Sequence, residues 1–294
     1  MWKKQGLIVT PQSHLDWMQT HAMLPTVQHV CGDNYRIYFS GRDAQNVSHI
    51  GYVIANVCDG KINIISYAPK SVFSPGERGC FDDNGVTPSC IVDDKLYYIG
   101  WNSGTSTYRM SLIMGLAIKS GDDFVRHSRA PLLTRTDREP FGICTAPFVF
   151  KDSGIYKMWY VSGEGWIHKD LPKYNIKYGH SLDGLNWHRN GEVAIELQEG
   201  ETALARPCVI KNNEIYEMYF SYKIPEVGYR IGLAKSSDGL NWQRTEQNVL
   251  DVSEEGWDSE MVQYSYVFRH KNISYMLYNG NGYGMTGIGY AIKT

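Results

Sequence analysis

The loops of this chain carry a set of carboxylates whose types and spacing could support acid and base chemistry. Adjacent aspartates occur in "CFDDNGVTP", two glutamates, Glu199 and Glu201, occur in "EGETALARP", and an aspartate and a glutamate occur in "GWDSEMVQY". Two carboxyl groups that face each other across a pocket can cleave a glycosidic bond, because one protonates the leaving oxygen while the other activates water or attacks the sugar. The candidate catalytic residues are Asp82, Asp83, Glu201, Asp258 and Glu260.

A second set of side chains, in neighbouring loops, suits sugar recognition. Amides and charged groups bind hydroxyl or anionic groups, and aromatic rings stack on the face of a pyranose or furanose. The candidate substrate-binding residues are His21, Arg42, Trp101, Asn102, Trp166, Arg206, Tyr264, Asn279, Asn281 and Tyr283.

Some of these residues also have a structural interpretation. The sequence "DDNG", which contains Asp82 and Asp83, is a favourable turn, whereas "WDSEM" is a poor turn sequence and favours a functional role for Asp258 and Glu260. Arg206 directly precedes a proline, and it either clamps an anionic group of a ligand or pairs with the acids as a structural bridge. The sequence leaves these alternatives open.

Composition and charge limit the classes of protein to which the chain can belong. The 294 residues are 43% hydrophobic, which suits a globular fold, and 21 Tyr and 8 Trp suit strands and sugar-binding surfaces. A net charge of -2 without long charged runs argues against nucleic-acid or membrane partners, and we find no membrane span or signal peptide. The scattered cysteines predict reduced thiols, a cytoplasmic location, and neither a metal nor another cofactor.

An internal repeat of about 60 residues organises the chain. Each unit has a short strand usually opened by proline, an aromatic strand followed by a Gly- or Ser-rich loop, and an alternating run. The short strands are anchored at Pro25, Pro88, Pro147, Pro207 and Ser265, with spacings of 63, 59, 60 and 58 residues. Strand patterns without helical periodicity predict an all-β fold, a five-bladed β-propeller that forms a single domain over residues 1–294.

The two ends of the chain are predicted to complete one blade together. The last unit stops after its third strand, whereas the opening "WKKQGLIV" aligns with the fourth strands "WHRNGEVAI" and "WQRTEQNVL". Trp2 thereby takes the place of Trp187 and Trp242, and the N-terminal strand closes blade five. The phrases "SLDGLNW" and "SSDGLNW" predict hairpin turns before these strands rather than a site used twice.

A propeller would bring the candidate residues to one face. The innermost strand of each blade lines the central channel, and the loop before it lies beside the loop that joins the second and third strands. The candidate carboxylates precede the anchors, and most candidate binding residues follow the aromatic strands. We therefore expect these residues to converge at one end of the channel.

The repeat units, with "YRIYFSGRD", "YKMWYVSGEGW", "SLDGLNW" and "NGNGYG", resemble the five-bladed propeller glycosidases. That group includes glycoside hydrolase families 32, 43, 62 and 68 and the mannoside phosphorylases of family 130. The resemblance covers almost the whole chain and is closest to uncharacterised bacterial glycosidase-related proteins, many of them associated with surface-polysaccharide synthesis. The acids of family 43 would fall on Leu24, Ala146 and Ala205, so the catalytic roles of that family do not transfer to this chain.

Three functions are compatible with such a site. The first is a glycoside hydrolase or phosphorylase that cleaves or phosphorolyses a glycosidic bond, with Glu260 as the acid and Asp83 as the base. The second is a non-catalytic glycan-binding propeller, which the missing family acids favour. The third is an enzyme acting on activated sugars in polysaccharide synthesis, although the sequence has no phosphate-binding Gly-rich loop. All three predict a carbohydrate or sugar-phosphate ligand, and none fixes the oligomeric state.

Overall fold

The computed structural model describes residues 1–246 and 248–293, in which strands dominate and one short helical turn occurs. In chain order the strands are β1 (Lys3–Val9), β2 (Thr20–Cys31), β3 (Asn34–Arg42), β4 (Ser48–Cys58), β5 (Lys61–Tyr67), β6 (Val86–Val92), β7 (Lys95–Ser103), β8 (Met110–Ser120), β9 (Asp123–Arg126), β10 (Ile143–Asp152), β11 (Ile155–His168), β12 (Leu171–Ser181), β13 (Val193–Ile195), β14 (Ala203–Asn212), β15 (Ile215–Ile224), β16 (Gly228–Ser236), β17 (Gln243–Glu246), β18 (Gln263–His270), β19 (Ile273–Asn279) and β20 (Ile288–Lys293). The helical turn α1 is Asn281–Gly284.

Consecutive strands pair antiparallel in groups of four. Group I contains β2 to β5, group II contains β6 to β9, group III contains β10 to β13, and group IV contains β14 to β17. Group V contains β18, β19 and β20, and its fourth strand is β1, which pairs antiparallel with β20. Short parallel contacts of β8 with β10 and of β12 with β14 join groups II to IV into one 12-stranded sheet.

The first strands of the groups contact one another in cyclic order. Strand β2 contacts β6, β6 contacts β10, β10 contacts β14, β14 contacts β18, and β18 contacts β2. The predicted anchors, from Pro25 to Ser265, all lie within these first strands. The sequence repeat therefore corresponds to the group of four strands.

Aromatic side chains connect neighbouring groups. The second strands carry large buried rings such as Tyr97, Trp159 and Tyr219, and a tryptophan ahead of a fourth strand packs edge-on against each of them. The pairs are Trp187 on Tyr97, Trp242 on Trp159 and Trp2 on Tyr219, with ring centroids 6.1, 5.7 and 5.8 Å apart. Each tryptophan thus packs on the group that precedes its own. Trp2 behaves like Trp187 and Trp242, as the sequence alignment predicted.

The repeated Ser-x-Asp-Gly phrase is a turn between the third and fourth strands of groups III and IV. The carboxylate of Asp183 accepts hydrogen bonds from the backbone N–H groups of Leu185 and Asn186, both at 2.8 Å, and Asp238 does the same one repeat later. Gly184 adopts a φ of 74°, in the left-handed region that glycine enters at low cost. These bonds lower the pKa of Asp183 below its usual range. The phrase therefore has a structural role.

Two further features bear on the sequence predictions. No helix in the described ranges is both long enough and apolar enough to cross a membrane. The cysteines are free thiols, of which Cys90, Cys144 and Cys208 are buried while Cys31 is exposed.

Candidate functional site

Two of the candidate catalytic aspartates are buried and paired with bases. The Asp82 carboxylate is fully buried, and it accepts hydrogen bonds from the Tyr98 hydroxyl at 3.0 Å and from Arg126 Nε at 2.9 Å. The Asp258 carboxylate accepts from Tyr278 at 3.0 Å and from Lys4 Nζ at 2.7 Å. In both cases the tyrosine lies on the second strand of the same group and the base lies on the fourth strand.

Glu201 is likewise paired with a base on the fourth strand of its own group, group IV. Its carboxylate receives two hydrogen bonds from the Arg244 guanidinium, at 2.8 and 2.6 Å, and one from the backbone N–H of Gln198 at 2.9 Å. In group III, Glu139 is paired with Arg189 and accepts hydrogen bonds from Tyr160 and Ser162. A buried carboxylate in the loop before the first strand is thus neutralised within its own group, and we call these pairs the loop ion pairs.

A short sequence pattern marks the bases of the loop ion pairs. In groups II to V the base stands two residues after an aromatic residue: Phe124 precedes Arg126, Trp187 precedes Arg189, Trp242 precedes Arg244 and Trp2 precedes Lys4. Group I lacks both partners. Met18 follows Trp17 as Asp258 follows Trp257, so Met18 stands where the other groups have the acid. Tyr67 pairs with Val53 and stands at the position on the fourth strand where the other groups have the base. Acid and base are therefore kept or lost together.

The remaining candidate carboxylates, Asp83 and Glu260, are accessible. Half-buried Asp83 accepts hydrogen bonds from Asn102 Nδ2 at 2.7 Å and from the Gly79 backbone at 2.8 Å, beside a cavity of about 530 Å³. Glu260 is exposed, and no ion pair within the described residues includes its carboxylate. Its backbone N–H donates to Asn281 Oδ1 at 2.8 Å, which fixes the loop that carries it.

Two of the candidate binding residues, Asn279 and Asn281, form hydrogen bonds between their side-chain amides and the backbone of neighbouring loops. The buried side chain of Asn279 donates to the carbonyls of Ala22 and Gly287, at 2.7 and 2.8 Å, and accepts from the Leu24 N–H at 2.9 Å. Asn281 accepts from the backbone N–H groups of Glu260 and Met261. Both amides hold loops in place at the end where the candidate binding residues lie.

Arg206 connects first strands of different groups. Its side chain is only 1% exposed, and it donates to the Ser89 carbonyl and hydroxyl, to the Pro25 carbonyl at 2.7 Å and to the Thr26 hydroxyl at 2.8 Å. Burial lowers the pKa of its guanidinium. Arg206 therefore ties group IV to groups I and II.

Four tyrosines from groups III, IV and V lie together beside Ala203 and Ala205, at the start of the first strand of group IV, and we call them the tyrosine cluster: Tyr174, Tyr229, Tyr264 and Tyr283. The hydroxyls of Tyr174 and Tyr229 are 2.7 Å apart, and the rings of Tyr229 and Tyr264 lie 5.6 Å apart. Tyr283 is 41% exposed, and its hydroxyl accepts a hydrogen bond from Lys223 at 3.3 Å. Burial raises the pKa of Tyr229 and Tyr264, so both rings carry neutral hydroxyls.

Basic side chains border the tyrosine cluster. Arg42 is half-buried, and its Nη1 donates to Asn46 Oδ1 at 2.9 Å. Burial and the nearby charge of Arg109 lower the pKa of Arg42, while the Tyr264 phenol acts in the opposite direction. Burial and the charge of Arg42 lower the pKa of His21 to about 4, so this imidazole is neutral at pH 7.

The positions that would carry the family 43 acids are apolar. Leu24 and Ala146 have φ values of 53° and 45°, a strained region for residues other than glycine, and both lie one residue before an anchor. They pack with Trp101 and Trp166 in one apolar cluster. Ala205 packs instead against the tyrosine cluster. Tyr174 packs in both clusters, which therefore adjoin, and the positions that would carry the family 43 acids belong to them.

The described ranges contain no group of three or more His, Cys, Asp or Glu side chains arranged to hold a metal ion. A second cavity, of about 590 Å³, lies between β1 and the segment after β17, where Trp2, Tyr219 and Val249 line it. It includes none of the candidate site residues.

Two curated relatives come from Mycobacterium tuberculosis. The "Uncharacterized protein MT1551" of strain CDC 1551 and the "Uncharacterized protein Rv1502" of strain H37Rv are each 40% identical to this chain over 299 residues. Each alignment covers 99% of this chain and 98% of the relative. No family model matches the chain.

Solved structures share the fold at low sequence identity. One described as "Glycoside hydrolase" is 20% identical with a TM-score of 0.75, and the match covers 99% of this chain and 91% of that chain. A thermostable family-43 glycoside hydrolase is 17% identical with a TM-score of 0.68, over 93% and 89% of the two chains. A Bombyx mori GH32 beta-fructofuranosidase is 11% identical with a TM-score of 0.64, over 96% and 62%. The predicted resemblance to this superfamily is confirmed at the level of the fold.

Proposed function

We propose that this chain, which belongs to the same protein family as MT1551 and Rv1502 of Mycobacterium tuberculosis, is a carbohydrate-active enzyme that binds its substrate at the tyrosine cluster. The observation that carries the proposal is the placement of half-buried rings and cations at one end of a glycoside hydrolase fold. Aromatic faces and a few convergent polar groups are the usual lining of a sugar site.

We also propose that the groups of four strands are the blades of a five-bladed propeller. The cyclic contacts of the first strands support a ring, and the pairing of β1 with β20 supports its closure by the N-terminal strand. The tyrosine cluster would then lie at one mouth of the central channel, and Arg206 would cross that channel.

The accessible carboxylates are the proposed acid and base. Glu260 is the proposed acid, because it is exposed and adjoins Met261, which packs with the tyrosine cluster. Asp83 is the proposed base, because Asn102 orients it next to Trp101, whose ring packs on the apolar cluster containing Leu24. Asp82, Glu201 and Asp258 have their charges neutralised in loop ion pairs, and we assign them a structural role.

The proposal is tested by turnover of aryl glycosides and oligosaccharides, with and without inorganic phosphate. Asp83→Asn and Glu260→Gln should each lower the rate at least about 100-fold, the usual contribution of an acid or base. Glu254→Gln, which removes an exposed acid from the same loop as Glu260, is the matched control and should keep full activity. Unchanged turnover in both site variants would exclude the acid and base roles.

A second candidate function is glycan binding without catalysis. The apolar residues at the family 43 acid positions and the neutralised loop carboxylates favour it. Binding to glycans that depends on Tyr264 and Tyr283, without turnover of any glycoside, would support this function over the first. A cytoplasmic location and a role in polysaccharide synthesis stay predictions.

A further inference from the structure

The cations beside the tyrosine cluster differ from the bases of the loop ion pairs. Arg126, Arg189 and Arg244 each contact a buried carboxylate within their own group. No ion pair in the part of the chain that the structure describes includes Arg42, Arg109 or Lys223. A half-buried charge loses hydration, and that cost is offset in folded proteins by a partner of opposite charge.

The groups around Arg42 explain why its charge is left uncompensated. The strand register pairs Arg42 with Thr20, which precedes His21, and the Ala22 carbonyl lies against Gly284, next to Tyr283. His21 and Tyr264 are neutral neighbours of Arg42, and Arg109, an exposed residue of the loop before β8, adds a like charge. The backbone N–H of Arg109 donates to the Lys169 carbonyl at 3.0 Å, which anchors this segment to the turn between β11 and β12. Lys223 adds a third cation, with its Nζ 5.7 Å from the centre of the Tyr229 ring.

Among the guanidinium nitrogens of Arg42, only Nη1 has a hydrogen-bond partner within the described residues, the Asn46 amide oxygen. The guanidinium therefore keeps further N–H groups that can bind two oxygens of a carboxylate or phosphate in a forked arrangement. The adjacent rings offer apolar faces for a sugar, and Tyr283 is exposed enough to be reached from solvent.

We propose that the tyrosine cluster binds a carbohydrate bearing a carboxylate or phosphate group, with Arg42 contacting the anionic group and Tyr264 and Tyr283 contacting the sugar ring. Arg109 and Lys223 contribute to the positive potential that draws in the ligand. This assignment rests on the proposed function, since it specifies the ligand of the same site.

The test is isothermal titration of the full chain with glucose, glucuronate, glucose 6-phosphate and inorganic phosphate. At least one of the two anionic sugars should bind about tenfold or more tightly than glucose, the gain expected from one charge-assisted contact. Its affinity should fall as salt is raised from 0.05 to about 0.5 M, because the contact is partly exposed. Arg42→Gln should remove most of the preference for the anionic sugar, because it weakens binding of that sugar far more than binding of glucose.

The control is Arg269→Gln, which makes the same charge change on an exposed residue near the other end of β18. Circular dichroism and thermal melting of each variant identify any loss of fold, and Arg42→Lys keeps the charge while removing the forked contact. Equal affinity for charged and neutral sugars, or equal weakening of both by Arg42→Gln, would overturn the inference and leave the proposed function standing. Inorganic phosphate that binds as tightly as glucose 6-phosphate would also overturn it, in favour of a free-anion site. Binding of no sugar at all would contradict the inference and the proposed function together.

Discussion

The loops before the first strands and the tyrosine cluster both hold charges that are removed from water, but only the loops supply each charge with a partner. Asp82, Glu139, Glu201 and Asp258 are at most 6% exposed, and each contacts a base of its own group. Arg42 is half-buried beside neutral rings and another cation. In one region each charge has a partner of opposite charge, whereas in the other no ion pair among the described residues includes Arg42.

This difference separates residues that look equivalent in the sequence. A carboxylate in a loop that faces a proposed channel has the residue type of a catalytic acid. When a guanidinium holds both of its oxygens, as Arg244 holds those of Glu201, the carboxylate cannot approach a substrate without breaking that pair. Asp83 and Glu260 have amide or solvent neighbours instead, so their carboxylates remain available for chemistry.

The largest expected effect is the loss of stability when one loop ion pair is broken. Arg244→Ala leaves the Glu201 carboxylate, 2% exposed, without its counter-charge. We expect a loss of about 3–5 kcal/mol in the free energy of unfolding, measured by urea denaturation. Arg269→Ala on an exposed site should change it by less than about 0.5 kcal/mol. A loss of that small size in Arg244→Ala would mean that the pair is not structural.

A smaller loss is expected when both partners of the same pair are replaced. Group I has Met18, Phe39 and Tyr67 at the positions where the other groups have the acid, the aromatic ring of the second strand and the base. The fold therefore accommodates uncharged side chains at the positions of the ion pair. The double variant Glu201→Leu with Arg244→Met should therefore be more stable than Arg244→Ala alone, because no buried charge remains unpaired. Urea unfolding of the two variants side by side measures this order, and the reverse order would refute the comparison with group I.

The smallest expected effect concerns the pH dependence of the Ser-x-Asp-Gly turns. Backbone N–H groups lower the pKa of Asp183 in the folded chain, whereas the pKa of an aspartate in an unfolded chain is about 3.9. The stabilisation is therefore present above about pH 4 and is lost as the pH falls below it. The melting temperature of the wild type should drop more steeply between about pH 5 and pH 2 than that of Asp183→Asn. Parallel slopes would contradict this, and Asp238→Asn provides an independent repeat.

The sequence predicted the strands better than the partners of its charged residues. The period of about 60 residues located the first strands, and the alignment of Trp2 with Trp187 and Trp242 predicted that the N-terminal strand pairs with the last one. Hydrophobic alternation and turn residues are local signals, and these elements follow from them.

The pairing of charges could not be predicted because it joins residues that are far apart in the chain. Lys4 and Asp258 are separated by 254 positions, and only the strand register brings them together. The sequence contains the pattern of a base two residues after an aromatic residue, but this pattern predicts an ion pair only once the structure brings the carboxylate loops next to the fourth strands. The sequence predicted the tyrosine cluster in part: Tyr264 and Tyr283 are candidates, whereas Tyr174 and Tyr229 open alternating runs that otherwise indicate only packing.

The most direct test of the account is a crystal structure of the chain soaked with glucuronate and glucose 6-phosphate. We predict ligand density at the tyrosine cluster, with the anionic group on Arg42, with Asp83 and Glu260 as the nearest carboxylates, and with the loop ion pairs intact. Density between Glu201 and Asp258, with Arg244 and Lys4 released from them, would contradict the account, because the carboxylates assigned to structure would then be the ones that meet the substrate.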